Sequence, residues 1–215
     1  MTEIPVTEQL KKRLLEEVVI FSGKEPVQTG AEALAPDHSP RERYQAKPLP
    51  ERSAVRVEAD LQRHVEQFLF YQAELLDTKS WRAYIDLFAE DGVYWMPARP
   101  EQTEWLDSPS IFAEDRELMS VRMGRITHPN AWSQAPLWET NHVLGNVVIE
   151  ELAETRIRVR SRFQVLELRR DVLRSLAGVY RHTLLRRGDD FMIELQRVDL
   201  MNAQAPFDYT IQAWV

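Results

Sequence analysis

Residues 61–97 read LQRHVEQFLFYQAELLDTKSWRAYIDLFAEDGVYWMP. The succession of periodicities within this stretch limits the fold more than any other feature. Leu61, Val65, Phe68, Leu69, Leu75 and Leu76 recur at helical spacing, which predicts a long helix with one buried face. Asp77-Thr78-Lys79 breaks it. Trp81, Tyr84, Ile85 and Phe88 repeat the pattern in a second, shorter helix, with Ser80 as its candidate N-cap. A short strand follows from Gly92 through Tyr94 and Trp95 and ends at Pro97. Helices that precede strands in this way pack onto one face of a sheet.

The rest of the chain supplies that sheet. Residues 107–110 are turn-like, 114–123 predict a third helix, and 128–136 a loop. Residues 141–151 form one strand. Residues 156–168 alternate, with Ile157, Val159, Phe163 and Val165 on one face and Arg156, Arg158, Arg160 and Arg162 on the other. The phase slips at Val165-Leu166, which predicts a β-bulge there. Residues 175–187 form a third long strand, Gly188-Asp189-Asp190 a turn, and 191–200 a returning strand. The fold class is α+β: a cone in which N-terminal helices pack into a strongly curved, mainly antiparallel sheet. Two regions result. Residues 57–215 are the cone domain. Residues 1–56 hold a helix over 7–20, capped by Thr7 and stopped by Gly23, and then an extended arm rich in proline (Pro26, Pro36, Pro40, Pro48, Pro50).

Composition removes several kinds of function. The 215 residues include no cysteine, which excludes disulfides, thiolate metal sites, iron–sulfur ligation and a Cys nucleophile. It also fits a reducing cytoplasm. The 27 basic and 34 acidic residues leave a net charge of −7, which disfavours nucleic acid as a partner. The opening MTEIPVTEQLKKRLLEEVV lacks the apolar core of a signal peptide, and no apolar run matches a membrane span. Neither a Gly-rich phosphate loop nor G-x-S-x-G occurs.

Candidate chemistry is sparse. The histidines are His38, His64, His128, His142 and His182, and no two are spaced as metal ligands on one helix. His142 and His182 with Asp77 make a weaker triad candidate than histidines satisfied within the fold. Asp77 with His142 is the acid–base pair that a cone-fold lyase or isomerase would use, set against a plain helix-ending role for Asp77. The arginine ladder needs acids facing it, and Glu150, Glu151 and Glu154 are near enough to supply them. Trp105, Trp132 and Trp138, all in loops, with Arg116, Arg122 and Arg125, form the candidate subunit-contact region, because Trp and Arg anchor interfaces.

Three separated segments then carry a resemblance. HVEQFLFYQAELLDTKSWRAYIDLFAEDGVYWMP, DRELMSVRMGRITHPNAW followed by HVLGNV, and SRFQVLEL with AGVYRHTLLRRGDDFMIELQRVDLMN resemble the small (beta) subunit of bacterial aromatic-ring-hydroxylating dioxygenases. The likeness runs from about Leu61 to the C-terminus. Two departures stand out: Trp138-Glu139-Thr140-Asn141 replaces a Ser-Arg-Thr type segment before the histidine, and the proline-rich extension is long. The resemblance implies a cystatin-like, nuclear-transport-factor-like cone and an α3β3 hexamer with a larger alpha subunit. It places the Rieske [2Fe-2S] cluster and the mononuclear Fe(II) in that alpha subunit, with electrons arriving from NAD(P)H through a reductase and ferredoxin. It assigns this chain no catalytic, cofactor or metal residues.

Overall fold

The first helix, α1 (Ala59–Asp77), buries Val65, Phe68, Leu69, Leu75 and Leu76 as its spacing predicts, and Gln72 with them. Its end is set by backbone geometry. Lys79 takes a left-handed conformation (φ 58°). Its N–H reaches Leu76 O at 3.1 Å, and the Ser80 N–H reaches Leu75 O at 2.8 Å. These two bonds form a Schellman stop, so the break at Asp77-Thr78-Lys79 turns the chain sharply into α2 (Trp81–Asp86). Ser80 holds the N-cap position of α2 without a side-chain cap bond; its hydroxyl lies 3.0 Å from that of Thr78. The computed structural model describes residues 55–106, 108–132, 138–201, 203–204, 209–212 and 214–215. The helix expected over 7–20 and the arm up to residue 54 lie outside the described residues.

Strand β1 (Phe88–Pro97) is longer than the sequence predicts, and β2 (Ser110–Asp115) occupies what reads locally as a turn and a helix start. Asp115 ends that strand and caps α3 (Arg116–Ile126), its carboxylate accepting from Leu118 N at 2.9 Å. The remaining strands are β3 (Glu139–Leu152), β4 (Arg156–Arg169), β5 (Val172–Arg187) and β6 (Asp190–Leu200). The sheet order is β2-β1-β6-β5-β4-β3. All neighbours are antiparallel except β1 and β6, which run parallel. The β4–β5 hairpin turns on Arg170 and Asp171, both at positive φ (49° and 63°), as a two-residue type I′ turn requires.

The bulge predicted at Val165-Leu166 is not there. Strand β4 pairs with β5 in unbroken register from Arg156↔Leu185 to Arg169↔Val172. The apparent slip arises because Leu166 and Leu168 are apolar yet point outward, 37% and 45% exposed. Irregularities fall instead in β3, between Gly145 and Val148 and between Ile149 and Glu151, and in β1, between Phe88 and Val93 and at Met96-Pro97. Asn146, at φ 51°, marks the first. Another, opposite Thr183-Leu184, shifts the phase of β6 so that Gln196, Val198 and Leu200 continue the buried face begun by Phe191 and Ile193. Gly178 lets β5 and β6 close tightly: a Cβ there would lie 2.2 Å from Asp199 O and 2.8 Å from the Phe163 ring.

The arginine ladder is met largely from within. Arg158 pairs with Glu151 at 2.9 Å and Arg160 with Glu150 at 2.5 Å, as the local charge pattern predicts. Arg156 pairs with Glu194 on β6 at 2.5 Å.

Candidate functional site

Alternation along β4, β5 and β6 brings Ser161, Tyr180, His182 and Gln196 to the concave face of the sheet, all buried. Tyr180 stacks on Phe163 with ring centroids 4.1 Å apart. Helix α1 covers this face and contributes Gln72, whose amide donates to Gln196 Oε1 at 2.5 Å. The Tyr84 hydroxyl donates to the same oxygen at 2.8 Å. The interior of the cone therefore carries polar groups among apolar ones, which the sequence reading overlooked. The overlooked signal is Gln72, which stands between Leu69 and Leu76 on the apolar face of α1.

At one end of this interior the Schellman stop holds Asp77 against the start of β3. The Asp77 carboxylate accepts the His142 backbone N–H at 2.9 Å and meets His142 Nδ1 at 2.5 Å. The imidazole is 1% exposed and the carboxylate 20%. Burial alone would raise the Asp77 carboxyl, but the hydrogen bonds from the His142 side chain and backbone outweigh it and hold it below its ordinary value. A carboxylate only accepts, so the proton of a neutral His142 sits on Nδ1 and Nε2 turns a lone pair inward. The acid–base pair singled out in the sequence is thus brought together. It faces Tyr180, Gln72 and Gln196 across a space that admits no water molecule.

His182 does not join it. Both its ring nitrogens are buried without a hydrogen-bond partner among the described residues, and burial pushes its pKa down from 6.5 to about 3. Burial first, with neighbouring charges added, raises Tyr180 and Tyr84 well above the usual phenol range. Among the described residues no three His, Asp or Glu side chains are placed to hold a metal ion, and no helix is long and apolar enough to cross a membrane.

The subunit-contact candidates separate into distinct environments. Trp138 is 2% exposed, packed 6.4 Å from Trp81 and beneath the Arg169 guanidinium. Arg116 pairs with Asp86 at 3.1 Å. Arg122 pairs with Glu114 and lies over the Phe112 ring; the other Glu114 oxygen accepts from Trp214 Nε1 at 3.0 Å. Arg122 and Arg125 border one groove of about 470 Å³ with Val121 and His128, whereas Trp105 and Arg116 do not line it. Trp132, one residue past the groove's Ala131, is 79% exposed, as are Val121 (56%) and Leu118 (48%) on α3.

The model of the ring hydroxylating beta subunit family matches residues 71–206, from α1 through the end of β6. The anthranilate 1,2-dioxygenase small subunit of Acinetobacter baylyi is 32% identical over 143 residues, covering 64% of this chain and 88% of the relative. The biphenyl 2,3-dioxygenase subunit beta of Rhodococcus jostii is 29% identical over 180 residues, covering 78% and 91%. The crystal structure of the beta subunit of benzoate 1,2-dioxygenase from Burkholderia mallei superposes with a TM-score of 0.58 at 26% identity, over 73% of this chain and 99% of that one. The order of elements, the curved six-stranded sheet and the matched sequence agree, and the chain belongs to the ring hydroxylating beta subunit family.

Proposed function

We propose that this chain is the structural small subunit of the terminal oxygenase of an aromatic-ring-hydroxylating dioxygenase. It assembles with a large subunit as an α3β3 hexamer in the cytoplasm. The large subunit carries the Rieske [2Fe-2S] cluster and the mononuclear Fe(II), and a reductase and ferredoxin deliver electrons from NAD(P)H. The holoenzyme adds both atoms of O₂ to an aromatic ring. The family match through both halves of the cone carries this reading. Two physical arguments support it. A Rieske centre needs two cysteines, and the sequence has none. The Asp77–His142 pair ties the end of α1 to the start of β3 through two hydrogen bonds, a structural use that favours a brace over a lyase built on that pair.

The contact surface for the large subunit is proposed on the outward face of α3. Leu118, Val121 and Arg125 recur there at helical spacing beside exposed Trp132, and aromatic and arginine side chains of this kind dominate binding energy. Co-expression with the neighbouring reading frame tests both claims by oligomer mass and iron content. A large iron-containing complex is expected only on co-expression. Trp132→Ala combined with Arg125→Glu is expected to weaken it at least tenfold while the small subunit stays folded. Iron in the small subunit alone, or no complex on co-expression, would refute the reading.

A further inference from the structure

The concave face of the sheet holds more hydrogen-bonding capacity than its own side chains satisfy. Among the described residues, His142 Nε2, Tyr180 OH, Gln72 Oε1 and Gln196 Nε2 are buried without a hydrogen-bond partner, and their residues border the same narrow space. Ser161 Oγ is unpartnered in the cross-strand position beside Tyr180, and both His182 nitrogens are unpartnered beside Gln196. Native interiors pair the great majority of such atoms, and each dry exception costs stability. A cluster of them in one place points to a molecule that completes them.

The chemistry of that molecule follows from the groups around it. Asp77 takes up the Nδ1–H of His142, so in the neutral ring Nε2 offers a lone pair that requires a donor. The Tyr180 hydroxyl, kept protonated by burial, is available to donate. A single hydroxyl oxygen answers both, giving its proton to one and accepting from the other. The remaining walls are apolar: Leu69, Ala73, Leu76 and Leu144, with the Phe163–Tyr180 stack behind. A carboxylate ligand is disfavoured by the negative charge of Asp77 behind His142. A cation would need a carboxylate, and Asp77 is already engaged twice by His142.

Entry has a physical route. Leu144 lies on β3, the edge strand of the sheet among the described residues, which also accepts from Val55 N at Ile149 O and from Gln62 Nε2 at Val147 O. Next to it the pairing with β4 is interrupted between Gly145 and Val148, where Asn146 is left-handed and nothing lies within 4 Å of a Cβ at Gly145. A ligand enters only if this wall parts, because the space as it stands admits no water.

We propose that the cone interior is a binding site for a small neutral molecule with an apolar body and one hydroxyl, entering past Leu144. Its O–H donates to His142 Nε2, and its oxygen accepts from the Tyr180 hydroxyl. The inference does not depend on the subunit role.

Phenol is the probe, with benzene and benzoate for comparison, titrated into the full chain and into the co-expressed complex by calorimetry and ¹⁵N-histidine NMR. Saturable phenol binding is expected, with a shift of the His142 Nε2 resonance and at least tenfold weaker binding of benzene and benzoate. His142→Asn breaks the pair that ties α1 to β3 and risks misfolding, so Tyr180→Phe, which removes only a hydroxyl, carries the test. It is expected to weaken phenol about tenfold, the loss of one buried hydrogen bond. Leu144→Ala, which opens the wall, is expected to strengthen binding. No saturable binding by either the native chain or Leu144→Ala overturns the proposal. Equal affinity in Tyr180→Phe, or benzene binding as well as phenol, overturns it too.

Discussion

Acidification from about pH 6.5 to about pH 4.5 is expected to destabilise this protein through one side chain, His182. It is 2% exposed, has no hydrogen-bond partner on either nitrogen among the described residues, and packs edge-on to Tyr180 with centroids 5.7 Å apart. Burial lowers its pKa from 6.5 to about 3. The native state therefore keeps the ring neutral while the unfolded chain protonates it. The stability this contributes is fully present above the unfolded pKa and is lost as pH falls from there toward the folded one. Each pH unit inside that window costs about 1.4 kcal/mol, so two units cost roughly 3 kcal/mol, a sizeable share of a domain's stability. Asp77 acts in a different window. Its pKa is lowered from 3.8, so its contribution is present above that value and lost only in stronger acid. The assay is urea unfolding at several pH values, read by tryptophan fluorescence from the cluster of Trp81, Trp138 and Trp214. In His182→Leu the loss between about pH 6.5 and 4.5 is expected to shrink to under ~0.5 kcal/mol. A variant that loses stability in parallel with the native chain would show that His182 is not the group responsible.

Two further substitutions probe the construction of the cone. Asp77→Asn replaces an acceptor-only group with an amide and disturbs both bonds to His142; a loss of about 1–3 kcal/mol in chemical denaturation is expected. Gly178→Ala forces a Cβ to within 2.2 Å of the Asp199 carbonyl. It is expected to cost more than about 2 kcal/mol and to increase amide exchange along the β5–β6 pairing.

Much of the architecture is legible locally. The buried face of α1, the inward Ile157, Val159, Phe163 and Val165, and the acids opposite Arg158 and Arg160 all follow from spacing and charge. Reading β4 by hydrophobicity alone fails at Leu166 and Leu168, because an exposed leucine looks the same as a buried one in a sequence. Strand β2 is illegible for another reason. Ser110–Asp115 is short and follows a turn, and it is a strand because β1 lies beside it. Among the contact candidates, Trp132 and Trp138 look alike as loop tryptophans, yet one is 79% exposed and the other 2%.

What the residues settle by themselves is periodicity, because helix faces and strand faces depend on neighbours two to four positions away. The family signature is likewise carried by residues in order along the chain. Closure of the cone decides the rest. The parallel pairing of β1 with β6 and the meeting of Gln72 with Gln196, 124 positions apart, exist only once the sheet curls around the helices. So does the Asp77–His142 bond, which spans 65 positions. Such contacts must repay the entropy of closing long loops. The tight turn after Asp77, the irregular edge strand and the glycine at Gly178 let the curled sheet place those partners within reach of one another.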